Sequence, residues 1–411
     1  MSPLYQIIAD QIRSKADAHI PFTTYMDLAL YHPQYGYYAS NPALIGTPGD
    51  FVTAPHLTPV FGELLAIQFE QLWQILGQPS PFSLVEMGAG QGLIIQDVCR
   101  ILQRHYPDFF AALRYQVVEK SPALILAQQH LMKSVTPPGQ GLQWCSWSDI
   151  PDESVVGCFF SNELVDALPV HLLRWQQGHL SERYVTLTDA AINPPTDGAE
   201  TKPVQAWFQE QLGALSTPAL KDYFELVEIN WSDEVYGEQY DTEVNLAALD
   251  WMNTVATKLR RGYVLTIDYG YPAHRYYSPA RRQGTLQCYF NHAHHSDPFI
   301  HVGQQDITAH VDFTALERQG QREGLDSLGT VPQGLFLMAL GLGDRLSALS
   351  HPSPTASRSI NDILRDRDAL HALINPMGLG NFPVLLQTKG LSASESSVIP
   401  RGFDIPPMAS G

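Results

Sequence analysis

The sequence predicts an α/β fold: a parallel sheet preceded by a helical extension, with large insertions after its fourth and fifth strands. Three observations carry that reading. The stretch Ser83-Leu84-Val85-Glu86-Met87-Gly88-Ala89-Gly90-Gln91-Gly92-Leu93-Ile94-Ile95 is an apolar run ending in an acid, then three glycines at spacing two. An apolar pattern of helical period continues through Asp97, Val98, Ile101 and Leu102, so the whole reads as strand, tight turn and helix. Residues 82–160 go on alternating strand with helix, and a second run, Tyr115–Glu119, again ends in an acid, 33 positions after Glu86.

The elements follow in order. Leu4, Ile7, Ile8 and Ile12 mark a helix face over 4–16, and Pro21–Leu30 reads as a second helix. The loop Tyr31–Tyr38 holds four tyrosines in eight residues and is expected to pack rather than to stack on a ligand. Gly49–Pro55 leads into a helix from Pro59 to Leu76, and 1–80 is read as a helical N-terminal extension. The core runs first over 81–170. In it Ser121 caps a helix through His130 with Pro122 at the first position, Gly141–Cys145 is a third strand, and Val155–Ser161 is a fully buried fourth. Residues 171–260 form the first insertion. It holds a hairpin from Val170–Trp175 and Tyr184–Thr188, a loop at Pro194–Gly198, a strand at Tyr223–Ile229, and a helix from Glu243 to Arg260 stopped by Gly262. The core resumes over 261–390 with a fifth strand at Tyr263–Gly270 and a second insertion at 271–311. Leu325–Val331 and Phe382–Leu386 are late strands around a helical segment, 333–373, and residues 391–411 are expected to be a disordered tail.

The glycine spacing narrows the ligand. Gly88 and Gly90 let the backbone turn sharply and approach a bound group, since neither carries a Cβ. The helix starting near Gly92 points free N–H groups and a partial positive charge into the turn, where a carboxylate or phosphate fits. The pattern is G-x-G-x-G, and Leu93 stands where the third glycine of a dinucleotide fingerprint belongs, which disfavours a nicotinamide oxidoreductase. Leu93-Ile94 also excludes a P-loop. Glu119, at the end of the second strand, can accept two hydrogen bonds from ribose hydroxyls. Ser146, Trp147 and Ser148 follow the third strand, where an adenine edge would lie; Trp147 is either a stacking surface there or core. Asn162–Pro169 follows the fourth strand at the carboxyl edge, where open α/β sheets bind ligands, with helix capping by Asn162 as the structural alternative.

Bulk properties set limits. The 411 residues exceed one ordinary domain, and a hydrophobic content of 44% supports a sizeable core. A net charge of −17, from 42 acids against 25 bases, argues against nucleic acid as a partner and suits either a soluble protein that must not aggregate or one that meets a cationic substrate. The four cysteines, Cys99, Cys145, Cys158 and Cys288, form no C-x-x-C, so neither zinc nor a disulfide framework is expected. His292, His294, His295, His301 and His310 match no zinc spacing, and no metal is expected. No apolar run is long enough to span a membrane and Met1–Lys15 does not read as a secretory signal or transit peptide, so a cytoplasmic protein is expected.

The Glu-x-Gly-x-Gly-x-Gly turn resembles the first motif of class I S-adenosylmethionine (SAM) methyltransferases, in which it holds the amino and carboxylate ends of the methionine moiety. Further stretches extend the likeness over most of residues 20–390. They are His32-Pro33 with Gly36-Tyr37-Tyr38, Gly49–Pro55, Phe61-Gly62-Glu63-Leu64, Asn162-Glu163 with Asp166–Val170, Asp268-Tyr269-Gly270, and Leu286 with Thr308–Phe313. With them the chain resembles the MidA-type SAM-dependent methyltransferases, whose mitochondrial members assist respiratory complex I assembly and methylate arginine in one of its subunits. The chain departs from that pattern at His56, where the family usually has Glu, and at Ala89 and Gln91, which replace Pro and Arg.

The resemblance implies a seven-stranded class I methyltransferase sheet, Rossmann-like in kind, with SAM as cofactor and a protein substrate, a homodimer being left open. Residues expected around the cofactor are Glu86, Gly88, Gly90, Gly92, Glu119, Ser146, Trp147, Asn162, Thr53 and Phe51. A guanidinium acceptor stays protonated in water, so it needs carboxylates to fix it and a base as the proton leaves. Glu163, Asp166, Asp50 and His310 are the candidates, Glu163 being expected to orient the acceptor. A SAM-binding assembly factor with little turnover is the rival from another class. An adenine-amino methyltransferase is disfavoured because Asn162-Glu163-Leu164-Val165 stands where Asn-Pro-Pro-aromatic is expected.

Overall fold

The computed structural model describes residues 2–40, 53–134, 141–192, 207–232, 234–350 and 359–405. The chain divides into two compact units. One is drawn from Met1–Phe51, Val165–Trp251 and Tyr271–Arg318, the other from Val52–Leu164, Met252–Gly270 and Gln319–Gly411. Of the residues read as an N-terminal extension, 2–40 lie in the first unit and 53–80 in the second.

The second unit carries the expected sheet. Its strands in chain order are β1 (Phe82–Met87), β2 (Leu113–Val118), β3 (Leu142–Cys145), β4 (Val155–Asn162), β5 (Leu259–Ile267), β6 (Asp326–Pro332) and β7 (Pro383–Lys389). Across the sheet they run β6-β7-β5-β4-β1-β2-β3. The five strands from β5 to β3 are parallel, and β7 is antiparallel to both β5 and β6. This is the seven-stranded class I methyltransferase arrangement. Chain order reverses between β1 and β4, and crevices at such switch points are where open α/β sheets bind ligands.

Every residue of β1 is buried, as a strand covered on both faces requires. Helices α1 (Val60–Ile75) and α2 (Leu93–His105) share one core with the sheet. Leu64, Leu65 and Phe69 of α1, Ile95, Val98 and Leu102 of α2, and Leu84, Phe160 and Leu265 of the strands are all fully buried there. Each such side chain contributes about 1.5–3 kcal/mol of transfer free energy. Helix α3 (Pro122–Leu131) begins as its sequence predicts: the Ser121 hydroxyl accepts from the Leu124 N–H at 3.3 Å, and Pro122 takes the first position.

The first unit is built on antiparallel pairing. His171–Gln176 and His179–Leu187 form the expected hairpin, flanked by Gln239–Val244, His19–Pro21 and Phe208–Gly213. The strand expected at Tyr223–Ile229 is instead a helix, Ala219–Val227. Of its five buried residues, Leu220, Tyr223, Phe224 and Val227 recur at spacings of three and four, with Leu226 beside them, a helical period that the β-prone residue types obscured. In the second insertion Gln287–Phe290 and Ala293–His295 pair around Asn291 and His292, both at positive φ, while His301 stacks on Phe290 with ring centroids 3.9 Å apart. These histidines thus build a turn and a packing contact. Among the described residues no group of three or more His, Cys, Asp or Glu is placed to hold a metal ion. The tyrosine loop packs: Tyr31 donates to the Ala167 carbonyl at 2.9 Å and Tyr38 to Asp306 at 3.0 Å.

The tail is a correction. Through Ile405 it is structured, because Phe403 is buried edge-on against Phe336 and the Gly402 N–H donates to the buried Gln68 Oε1 at 2.8 Å. The loop expected at Pro194–Gly198 lies outside the described residues. Among the described residues no helix is long and apolar enough to cross a membrane.

Candidate functional site

The carboxyl ends of β1, β2 and β4 assemble the site. After β1, Gly88, Gly90 and Gly92 take φ of 69°, 53° and 83°, a left-handed conformation open to glycine at no steric cost. A Cβ at Gly88 would lie 2.6 Å from Leu164 Cδ1, so the turn must be bare for the segment after β4 to pack on it. Among the described residues, a Cβ at Gly90 would meet nothing within 4 Å. The first amides of α2 point toward the turn without intrahelical acceptors.

Glu119, just past β2, is held from below. Its Oε1 accepts from the Lys120 and Ser121 N–H groups at 2.8 and 2.9 Å, and Gln128 Nε2 approaches its Oε2 at 3.5 Å. Burial raises its pKa, and these three hydrogen bonds and the nearby Lys120 charge oppose the rise. Gln128, fully buried on α3, also donates to the Gly90 carbonyl at 2.7 Å and accepts from Trp144 Nε1 at 2.7 Å. One amide therefore ties the glycine turn to the acid of β2 and to a tryptophan of β3. The sequence reading missed it. Its signal was weak: a polar residue four positions after buried Leu124, on the same inward face of the helix.

β4 ends in strain. Glu163 has φ 49°, a conformation costing a side-chain-bearing residue about 1–2 kcal/mol. Its N–H donates to the Ile267 carbonyl at 2.8 Å, and the next N–H, of Leu164, donates to Asp268 Oδ2 at 3.1 Å. Asn162 Nδ2 donates to Glu163 Oε1 at 3.2 Å, while Asn162 Oδ1 is buried with no hydrogen-bond partner among the described residues. A buried acceptor without a donor is what a ligand N–H or O–H would satisfy.

The other expected residues distribute unevenly. Glu86 is 2% exposed, takes a 2.6 Å hydrogen bond from Tyr115, and is pushed by burial to a pKa of about 7. The Ser146 hydroxyl bonds Asp149 at 2.6 Å, and Trp147 remains half-buried, 6.1 Å from the Phe159 ring. Thr53 bonds His56 Nδ1 at 2.7 Å. Burial lowers the His56 pKa, and the neighbouring Gln91 side chain opposes that shift, so the two substituted positions His56 and Gln91 lie together. Asp50 and Phe51 lie outside the described residues.

Asp166 and His310 belong to the first unit. The Asp166 carbonyl accepts from the Ala309 N–H at 3.0 Å, and the next residue, His310, has its ring 5.3 Å from Tyr271. Burial, aided by the Arg281 charge, pushes the His310 pKa down to about 4, so the imidazole is neutral near pH 7. Within the second unit the structure brings together Gly88, Gly90, Gly92 and Glu119, and separately Asn162 with Glu163, linked to the turn through Leu164.

Comparisons with known proteins agree with this geometry. Residues 64–331 match the family described as "Putative S-adenosyl-L-methionine-dependent methyltransferase". The chain is 30% identical to the Drosophila melanogaster protein named "Protein arginine methyltransferase NDUFAF7 homolog, mitochondrial", over 96% of this chain and 87% of that one. It is 27% identical to the Homo sapiens "Protein arginine methyltransferase NDUFAF7, mitochondrial", over 90% of this chain and 81% of that one. A crystal structure of a Burkholderia thailandensis protein bound to S-adenosyl-homocysteine superposes with a TM-score of 0.78 at 30% identity, covering 96% of this chain and 94% of that chain. Both named relatives are mitochondrial, which overturns the cytoplasmic placement expected from the sequence.

The residues present fit SAM. Among the described residues nothing lies within 4 Å of a Cβ at Gly90, Glu119 presents a carboxyl just past β2, and the buried Asn162 Oδ1 has no donor, features that a SAM molecule can use. Fold, turn and relatives converge, and the chain belongs to the family of S-adenosyl-L-methionine-dependent methyltransferases.

Proposed function

We propose that this protein transfers the methyl group of SAM to an arginine side chain of a protein, and that Glu163 orients that arginine. The observation that carries the role of Glu163 is its left-handed backbone at the end of β4, beside an unpaired Asn162 Oδ1. Strain of this kind survives where surrounding bonds over-determine it, and it clusters at functional sites. The bound cofactor supplies a methyl group on a positively charged sulfur, already activated for in-line displacement.

The chain's own residues do the rest by holding and orienting. Gly88, Gly90 and Gly92, with the first amides of α2, receive the methionine end, and Glu119 accepts from the ribose hydroxyls. Trp147 and Ser146 border the adenine, and Asn162 and Thr53 border the transferred group. Glu163 accepts N–H bonds from the guanidinium, aligns the attacking nitrogen, and favours loss of its proton as the new N–C bond forms. Asp50, Asp166 and His310 are further candidates from the sequence for work on the acceptor, and His310, in the first unit, is neutral near pH 7 because burial lowers its pKa. The named relatives are arginine methyltransferases, and the MidA-type likeness directs the search for the acceptor to subunits of respiratory-type complexes.

Two measurements test this. Glu163→Gln should bind S-adenosylhomocysteine as the wild type does and lose at least about tenfold in methyl transfer; transfer at the wild-type rate would remove Glu163 from the reaction. Deleting the gene should abolish a methyl-arginine detectable by proteomic mass spectrometry, and an unchanged methyl-arginine inventory would refute the acceptor class.

A further inference from the structure

We infer that Asp268 is a positioning residue that staples Glu163 in its left-handed conformation, seating Leu164 against the glycine turn as it does so. The inference rests on the methyltransferase reading for its consequence in catalysis, though not for its structural content.

Asp268 follows β5, is fully buried, and spends both carboxylate oxygens on backbone amides. Oδ1 accepts from the Tyr269 N–H at 2.9 Å and Oδ2 from the Leu164 N–H at 3.1 Å. The second bond reaches across to the neighbouring strand's exit, to the residue directly after Glu163. Together with the Glu163 N–H on the Ile267 carbonyl at 2.8 Å, it clamps the peptide units on both sides of the residue at φ 49°. The left-handed region is costly for a glutamate, since its Cβ crowds the backbone there, and these bonds oppose that cost. Charge-assisted bonds from a carboxylate to backbone N–H groups are the stronger kind, and a neutral amide in the same place donates on one side and cannot hold both amides.

The clamp has a second outlet. Leu164 Cδ1 occupies the space a Cβ on Gly88 would need, at 2.6 Å. The same staple that presents the Glu163 carboxylate thus presses Leu164 onto the turn that receives the cofactor. Asp268 touches neither substrate nor cofactor in this account. It acts through Glu163 and Leu164.

The test is a double-mutant cycle with Asp268→Asn and Glu163→Gly, read by chemical denaturation, by S-adenosylhomocysteine titration, and by methyl transfer from tritiated SAM to lysate protein of a gene-deleted strain. If Asp268 holds a strained residue, Asp268→Asn lowers the folding equilibrium constant about tenfold in the wild type. It lowers it less than about threefold when position 163 is glycine, because glycine needs no clamp. Transfer falls at least about tenfold in Asp268→Asn, by more than S-adenosylhomocysteine affinity falls. Equal stability losses in the two backgrounds would overturn the staple and leave Asp268 a cap of its own turn. A coupled stability loss with unchanged transfer would overturn its link to catalysis. Should the wild type fail to bind S-adenosylhomocysteine, the methyltransferase reading fails by itself, and the stability cycle still decides the staple.

Discussion

Placing a methyl group at Gly90 separates the cost of the turn from its use. Gly90 has φ 53°, and a Cβ built there meets nothing within 4 Å. The left-handed conformation costs alanine about 1–2 kcal/mol, of which about 0.5 is returned by a stiffer unfolded chain. The net is about 1 kcal/mol, or a fall in Tm of about 2–4 °C for a unit of this size. Binding should suffer far more. The turn cannot retreat, since the Gly92 N–H holds the Ala89 carbonyl at 2.8 Å and Gln128 holds the Gly90 carbonyl at 2.7 Å. A methyl group in the space reserved for the ligand should then weaken S-adenosylhomocysteine binding by at least about tenfold, worth about 1.4 kcal/mol. Gly178 is the control, with φ 78° and nothing within 4 Å of its Cβ, in a hairpin of the first unit. Gly178→Ala should match the Tm change and leave binding alone. Calorimetric titration and thermal denaturation of both variants decide the matter. Wild-type affinity in Gly90→Ala, or equal affinity losses in both variants, would refute the assignment of the turn to the cofactor.

Other perturbations test the supports. Gln128→Leu strands the Gly90 carbonyl and the Trp144 N–H, each worth about 1–3 kcal/mol when buried unpaired, and should lower both Tm and S-adenosylhomocysteine affinity; a loss of Tm alone would separate Gln128 from the site. Asp97 has its pKa raised from 3.8 to about 7, by burial first, with Arg100 opposing and Glu63 adding. Its folded value lies above its unfolded one, so folding holds a proton in that window and stability falls as pH rises through it. Asp97→Asn should therefore gain about 1–2 kcal/mol at pH 8 and nothing below about pH 4, as denaturation at both pH values would show. Phe403→Ala should cost about 3 kcal/mol in urea denaturation, and no change would return the segment to the status of a loose tail.

The parts of the fold that follow a local period were readable in advance. β1, the glycine turn, the Ser121 cap and the two acids Glu86 and Glu119 announce themselves through adjacent residues. Helix Ala219–Val227 did not, because Tyr223, Phe224 and Val227 are β-prone types and tertiary packing overrode their preference. The site was readable only where one segment builds it. Gln128 and Asp268 act on carbonyls and amides from 38 and 104 positions away, a relation that no local pattern carries. Glu86 shows the converse: the motif drew attention to it, yet its partner is the buried Tyr115. The contact of His56 with Gln91 is likewise invisible along the chain, although both positions stood out singly as departures from the family pattern.

β7 lies between β5 and β6 although it is the last of the seven strands in the chain. A ribosome making this protein therefore releases β5 more than a hundred residues before the strand that will cover its flank. Over that interval a row of unpaired amides and carbonyls on an apolar strand is open to any other chain. The latest residues to emerge, 383–389, are the ones that close this vulnerable edge, which makes the order of synthesis part of what the fold has to survive.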